Sequence, residues 1–95
     1  MHLYLVTYDI CDPKRLRKVY RLMRGYGDHL QYSVFLCRLN ASRRTTLEHR
    51  LEAIMNLRDD QVLFVKLGLD NDRTRANLST LGKVHLFEVR QAIIV

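Results

Sequence analysis

Apolar residues are concentrated in four segments that predict strands. The first, "HLYLVTY", is apolar on both alternating faces, which is typical of a strand in the middle of a sheet, and it ends at Asp9. "HLQYSVFLCRL" predicts extended structure that a bulge at Ser33 divides into two shorter strands, and "QVLFVKLGL" predicts another strand. The last segment, "KVHLFEVRQAIIV", predicts an extended chain that needs a partner.

Two segments have helical periodicity. The first begins with Asp12 as N-cap and Pro13 at the first helical position, and Gly25 and Gly27 end it. Its apolar positions follow the i, i+3, i+4, i+7 pattern: Leu16, Val19, Tyr20 and Met23. Its opposite face is basic: Lys14, Arg17, Lys18, Arg21 and Arg24.

The second predicted helix starts at Asn40 or Ser42, either of which can cap it. Its predicted buried stripe is Leu47, Leu51, Ile54 and Met55. Its other positions are expected to face water: Arg43, Arg44, Glu48, Arg50 and Glu52. The later segment "DNDRTRANLST" predicts a loop with one helical turn.

This order of elements predicts an α+β fold, a ferredoxin-like βαββαβ sandwich formed by a single domain over residues 1–95. An extra C-terminal strand at about 84–90 remains, and an unpaired apolar strand invites aggregation. Pairing across a two-fold axis would cover it. We therefore expect a homodimer with "VHLFEV" in its interface.

The net charge of +6 lies in the first half of the chain: residues 1–50 hold ten Lys and Arg against four acids, while residues 51–95 hold six against six. A basic field of this kind favours nucleic acid as partner, because neutralised phosphates release counterions. No apolar run approaches the ~18 residues of a membrane span, and no signal peptide is evident, so we expect a cytoplasmic protein without a membrane partner. The two cysteines form no zinc motif.

Asp9 is the candidate for chemistry, because a carboxylate at the end of a strand suits Mg²⁺, which takes one or two protein carboxylates together with phosphate oxygens. An Asx turn or a helix cap would also explain it. The basic face of the first helix is a candidate phosphate contact, which Arg38, Arg43 and Arg44 extend, or else an ordinary solvated surface. Tyr8 and Phe35 either stack on bases or belong to the core.

The pieces "LVTYDI", the "YG" after the basic helix, "QYSVF" and then "LN" resemble, in this order and spacing, the CRISPR-associated protein two family, the small partner of the CRISPR integrase. The resemblance implies a ferredoxin-like homodimer in which symmetry-related acids, here Asp9, bind Mg²⁺ or Mn²⁺ and support phosphodiester cleavage. It implies Asp9 and Tyr8 as catalytic residues and Asp9 as metal ligand. Among the expected nucleic-acid contacts, it implies Arg15, Arg17 and Lys18 as a group, and Ser33 and Phe35 by position. The remaining expected contacts, Lys14, Arg21 and Arg38, rest on the basic charge of this region alone.

The chain departs from this family at His29 and Leu30, where many relatives carry an arginine just before "QYSVF".

The expected function is that of a metal-dependent endonuclease acting on RNA, double-stranded DNA or both, in spacer acquisition and antiviral defence. Two alternatives stay open. One is a non-catalytic DNA-binding scaffold that bridges two integrase dimers, and the other is a toxin-type RNA interferase. An RNA-recognition module is disfavoured, because "VLFVKLGL" and "YSVFLCRL" lack its aromatic and glycine signature.

Overall fold

The computed structural model describes residues 1–83 together with the backbone of residues 93–94. The predicted order of elements is confirmed from β1 to β4, and "DNDRTRANLST" does contain one helical turn. The elements are β1 (His2–Asp9), α1 (Pro13–Arg24), β2 (Gly27–Gln31), β3 (Val34–Leu39), α2 (Ala41–Ile54), β4 (Gln61–Leu69), α3 (Asp72–Arg75), β5 (Ser79–Thr80) and β6 (Ile93–Ile94).

Strands β1 to β4 form one antiparallel sheet in the order β2-β3-β1-β4, which is the predicted ferredoxin-like topology. The central position of β1 agrees with its apolar character on both faces. A short parallel ladder pairs Ser79 with Ile93 and Thr80 with Ile94. The predicted interface strand at about 84–90 lies outside the described residues.

The helix ends follow from local chemistry. The Asp12 carboxylate accepts a hydrogen bond from the Arg15 backbone N–H, and Pro13 begins α1. Asn40, rather than Ser42, caps α2 by accepting from the Arg43 N–H. Gly27 already belongs to β2, where a Cβ would lie 2.4 Å from the Leu36 carbonyl oxygen. The Gly27 position therefore requires a glycine for the close approach of two strands.

The two short strands predicted from "HLQYSVFLCRL" are present, but the predicted bulge at Ser33 is wrong. Residues 32–33 form the turn between β2 and β3, and the irregularity in the ladder lies between His29 and Gln31. The strand direction therefore reverses at Ser33.

Both helices pack against one face of the sheet, and the core lies between them. Its buried members come from alternating positions of the strands and from the inward faces of the helices: Tyr4, Val6, Tyr8, Phe35, Cys37, Leu39, Val19, Met23, Leu47 and Leu51. Ile54 and Met55 are half-buried against this cluster. No helix in the described part of the chain is long and apolar enough to cross a membrane.

The expectation that Arg43 and Arg44 face water is wrong. The Arg44 guanidinium lies 5.1 Å from the ring centre of Tyr4 and 4.8 Å from that of Phe64, and it pairs with Glu48. Arg43 lies 4.9 Å over the ring of Tyr26. These side chains extend over aromatic surface, because a guanidinium packs well on a ring face.

Candidate nuclease site

Asp9 is the last residue of β1, and its side chain is exposed. Side chains alternate along a strand, so Asp9 shares the face of Leu3, Leu5 and Thr7, which is the face opposite the helices. Its neighbour across the ladder is Gln61. We call this surface the open face of the sheet.

The open face carries apolar residues that the described part of the chain covers only in part. Leu63 and Val65 of β4 are 49% and 46% exposed, and Leu5 and Val34 are half-buried. Residues 78–83 border a pocket with Leu5 and Val34. Asp9 therefore lies at the end of an apolar sheet face.

Neither structural alternative for Asp9 is observed. The cap of α1 is Asp12, and the Asp9 carboxylate makes no hydrogen bond or ion pair with residues 1–83. An exposed carboxylate without a protein partner is available to a cation.

Asp60 anchors the loop that follows Asp9. Its carboxylate side chain has no exposed surface and accepts hydrogen bonds from Arg15 Nε at 2.8 Å and from the Cys11 backbone N–H at 2.9 Å. The N–H of Asn56 also donates to it, at 2.9 Å. The Arg15 guanidinium is the main reason why the pKa of Asp60 is held well below its usual range. Residues 10–15 are thereby tied to the start of β4.

The residues present fit a hard divalent cation with a sparse protein shell. Among the described residues no group of three or more His, Cys, Asp or Glu side chains is close enough to hold a metal alone. In the described part of the chain, the candidate ligand at the end of β1 is the Asp9 carboxylate. Mg²⁺ accepts such a shell, because water and substrate phosphate complete its coordination.

The basic face of α1 is confirmed as a charged surface. Arg17, Lys18 and Arg21 are exposed and have no hydrogen-bond or ion-pair partner among the residues that the structure describes. Lys14 is exposed beside Asp12, and Arg24 donates to the Tyr20 hydroxyl at 3.1 Å. Three cations on α1 are therefore free to meet phosphates.

Two other predicted nucleic-acid contacts are engaged within the chain. Arg15 makes two hydrogen bonds to Asp60, and the Arg15 pKa is raised chiefly by them. Arg38 donates to Asp70, which Arg75 also contacts at 2.6 Å. Arg15 is therefore not available for a phosphate while this ion pair is made, whereas the Arg38 side chain remains 63% exposed.

Tyr8 and Phe35 are brought together, but away from Asp9. Their rings are nearly parallel at 6.2 Å, and Phe35 is fully buried. Tyr8 lies on the helix-facing side of the sheet, and burial raises its pKa to about 12. The Ser33 carbonyl accepts a hydrogen bond from the Tyr8 N–H at 3.1 Å. The catalytic role of Tyr8 and the nucleic-acid roles of Phe35 and Ser33 stay predictions.

Sequence reasoning missed Asp60 as the partner of Arg15. The available signal was weak, since Asp60 follows another acid in a loop and lies 45 residues from Arg15. It also missed that Tyr8 and Asp9 point to opposite faces, although strand alternation carried that signal.

Comparison with known proteins identifies a family and agrees with the fold. The sequence profile of the family described as CRISPR associated protein Cas2 matches residues 1–75. CRISPR-associated endoribonuclease Cas2 1 of Rhodospirillum rubrum is 44% identical over 94 residues, which cover 99% of this chain and 91% of the relative. CRISPR-associated endoribonuclease Cas2 of Geobacter sulfurreducens is 39% identical, with 99% and 98% covered.

The crystal structure of Streptococcus pyogenes Cas2 at pH 6.5 superimposes with a TM-score of 0.72 at 36% identity, covering 84% of this chain and 99% of that one. A profile match over most of the chain, relatives of this identity and a shared fold lead to one conclusion. The chain belongs to the CRISPR-associated protein Cas2 family.

Proposed function

We propose that this protein is a homodimeric, metal-dependent nuclease of CRISPR defence that acts in spacer acquisition. In this proposal it cleaves RNA, and Asp9 is the ligand of the catalytic metal ion. Relatives that share 44% and 39% of its residues carry the name endoribonuclease. The observation that supports the proposal best is the exposed Asp9 carboxylate at the end of an apolar sheet face, which has no partner within residues 1–83.

The open face supports the dimer. Apolar side chains such as Leu63 and Val65 gain free energy when they leave water, at roughly 25 cal/mol per Å² of buried apolar surface. If two open faces pack about a two-fold axis that passes close to the end of β1, each Asp9 approaches its symmetry mate. Two carboxylates at short range repel, so a bound cation would favour their joint ionisation.

In the proposed site, Asp9 from each protomer holds Mg²⁺ or Mn²⁺. The ion would supply Lewis-acid polarisation of the scissile phosphate and a more acidic bound water. The chain itself provides the carboxylates, the fixed loop after β1, and the cations of α1. Arg17, Lys18 and Arg21 attract the phosphate backbone and carry no base preference of their own.

The decisive experiment compares wild type with Asp9→Asn on labelled single-stranded RNA and on double-stranded DNA, with Mg²⁺ and with excess EDTA. Cleavage of the RNA is expected only for wild type with Mg²⁺, and cleavage of the duplex DNA alone would show that RNA is the wrong substrate. Asp59→Asn is the matched control, since Asp59 is exposed and its hydrogen bonds, to Cys11 and Asn56, are made by its backbone. Cleavage that survives EDTA, or that is equal in Asp9→Asn, would refute the proposal.

One observation favours a second function, a non-catalytic scaffold that holds duplex DNA for an integrase. The unpaired cations of α1 bind phosphates without requiring any chemistry at Asp9. In this case Asp9→Asn would retain both duplex binding and spacer acquisition, whereas replacing Arg17, Lys18 and Arg21 by Gln would abolish both. Loss of acquisition in Asp9→Asn with intact DNA binding would instead favour the nuclease.

A further inference from the structure

A second cavity lies on the opposite side of the sheet from the Asp9 carboxylate. It has a volume of about 490 Å³ and opens between α1 and the β2–β3 hairpin. Leu16 and Tyr20 of α1 form one wall, and His29 and Tyr32 of the hairpin form the other. Tyr8 of β1 also lines it. Most of this lining is aromatic.

The rings of this cavity are held in fixed positions by the core. His29 lies nearly parallel to Phe35 at 4.9 Å, and Tyr20 meets His29 edge-on at 5.2 Å. Arg24 donates to the Tyr20 hydroxyl, which fixes that ring from the far side. Preorganised rings lose little conformational entropy when a flat ligand enters.

Tyr32 differs from its neighbours because it is 83% exposed at the turn between β2 and β3. Its backbone carbonyl lies 3.3 Å from His29 Nε2, which positions the turn against the cavity. A large exposed aromatic ring at the mouth of an aromatic cavity offers a stacking surface to whatever enters.

The charge around the cavity selects an anionic ligand. Arg17 and Arg21 line its edge one helical turn apart, and both are exposed without a partner among the described residues. No carboxylate contributes to the lining. An aromatic cavity bordered by two guanidinium groups matches a flat ring that is linked to phosphates.

We propose that this cavity binds one unstacked nucleobase, with Arg17 and Arg21 on the phosphates that flank it. This inference rests on the proposed function, because it presumes a nucleic-acid ligand. It adds to that function a site for one nucleotide. A base within a duplex is stacked and paired and cannot enter, so the cavity selects a single-stranded position. Tyr8 and Asp9 are consecutive but face opposite sides of the sheet, so a strand held in the cavity must pass around the end of β1 to reach the carboxylate.

The test uses a ten-nucleotide single-stranded RNA carrying one 2-aminopurine, and a blunt duplex of the same length, both in EDTA so that nothing is cut. Tyr32→Ala is expected to weaken binding of the single strand at least fivefold, as loss of a base-stacking ring does. It is also expected to remove the fluorescence quenching of the stacked 2-aminopurine. Duplex binding should stay within twofold of wild type, and Tyr32→Phe should restore single-strand binding.

A second variant approaches the cavity from the helix. Leu16→Trp fills the cavity and removes none of its aromatic residues, so it is expected to give the same selective loss of single-strand binding. A circular-dichroism melt of each variant verifies folding. Equal effects on single strand and duplex, or no effect of Tyr32→Ala and Leu16→Trp on either, would overturn the inference.

The outcomes also separate this inference from the proposed function. If the cavity variants bind as wild type does while Mg²⁺-dependent cleavage still requires Asp9, the cavity assignment is wrong and the nuclease stands. If the variants lose single-strand affinity but Asp9→Asn cleaves normally, the cavity is supported and the proposed site is refuted.

Discussion

The carboxylate of Asp60 is the group on which the geometry after β1 depends most. It has no exposed surface and accepts hydrogen bonds from Arg15, Cys11 and Asn56. Removing one partner of such a buried cluster leaves the others unpaired, which costs more than the single contact contributes. A residue outside the proposed chemistry thus controls the loop beside it.

Asp60→Asn should therefore lower stability at neutral pH. An amide offers one acceptor oxygen in place of two and no charge for Arg15. We expect a fall of more than about 5 °C in the melting temperature, since small domains shift by several degrees per kcal/mol. Asp59→Asn serves as control and should melt within about 1 °C of wild type, because surface substitutions rarely matter.

The pH dependence of this loss has a defined sign. The folded pKa of Asp60 is depressed, so its contribution is complete above its unfolded pKa of about 4 and declines as pH falls toward the folded value. The difference in urea midpoint between wild type and Asp60→Asn should be largest at pH 7 and smaller at pH 3. A difference that is constant with pH would contradict the ion pair.

The two thiols should differ in reactivity. Cys37 is buried in the core and burial raises its pKa to about 12, whereas Cys11 is exposed. Since the thiolate is the reactive form, a maleimide at pH 8 is expected to label one thiol per native chain, at Cys11, and two after unfolding in urea. Mass spectrometry of the peptides identifies the site, and rapid labelling of native Cys37 would contradict the packing of β3.

At the scale of elements, α1 has one apolar face that packs on the sheet and one basic face that is exposed. Val19 and Met23 are buried against the sheet, while Arg17, Lys18 and Arg21 have no compensating acid on the described part of the molecule. Like charges at this spacing repel and destabilise the helix slightly. That cost is explained if the face meets phosphates.

Replacing Arg17, Lys18 and Arg21 together by Gln should reduce duplex DNA binding and flatten its salt dependence. Each lost phosphate contact lowers the slope of log K against log salt by about 0.9, so the slope should fall by about 2 to 3. The control carries the same charge change elsewhere, with Gln at Arg50, Arg58 and Arg73, which are exposed. Equal losses in both triple variants would mean that net charge, not α1, governs binding.

Local sequence pattern predicted the elements well because their signals are local. The Asp12 cap, the periodicity of α1 and the alternation of β1 lie within a few residues of each other. It failed for Arg15 and Arg44, whose partners Asp60 and Phe64 are brought close only by the folded sheet. The positive charge of an arginine does not reveal whether its guanidinium forms an ion pair, packs on an aromatic ring or faces water.

At the scale of the whole molecule, the open face is an apolar surface that residues 1–83 cover only in part. Leu63 and Val65 lie on β4, which is an edge strand of the sheet, and both remain about half exposed. The charged α1 surface and the aromatic cavity lie on the helix side, and Asp9 lies with the open face. The proposed dimer would place two carboxylates inside and two basic helices outside.

The dimer predicts a mass of twice the 11.3 kDa chain in light scattering. Leu63→Glu should shift the protein toward monomer, because a charge on a packed apolar face is costly to bury. Leu57→Glu is the control, since Leu57 is 68% exposed in the loop before β4. Monomeric wild type, or equal disruption by Leu57→Glu, would refute an interface on the open face.

The bond between Arg15 and Asp60 also orders events during synthesis. Residues 10–15 leave the ribosome early, but the carboxylate that fixes them is not made until residue 60, after both helices and three strands. In a nascent chain shorter than this, the loop that follows Asp9 has no anchor. The proposed nuclease centre therefore assembles late, and an incomplete chain does not present it.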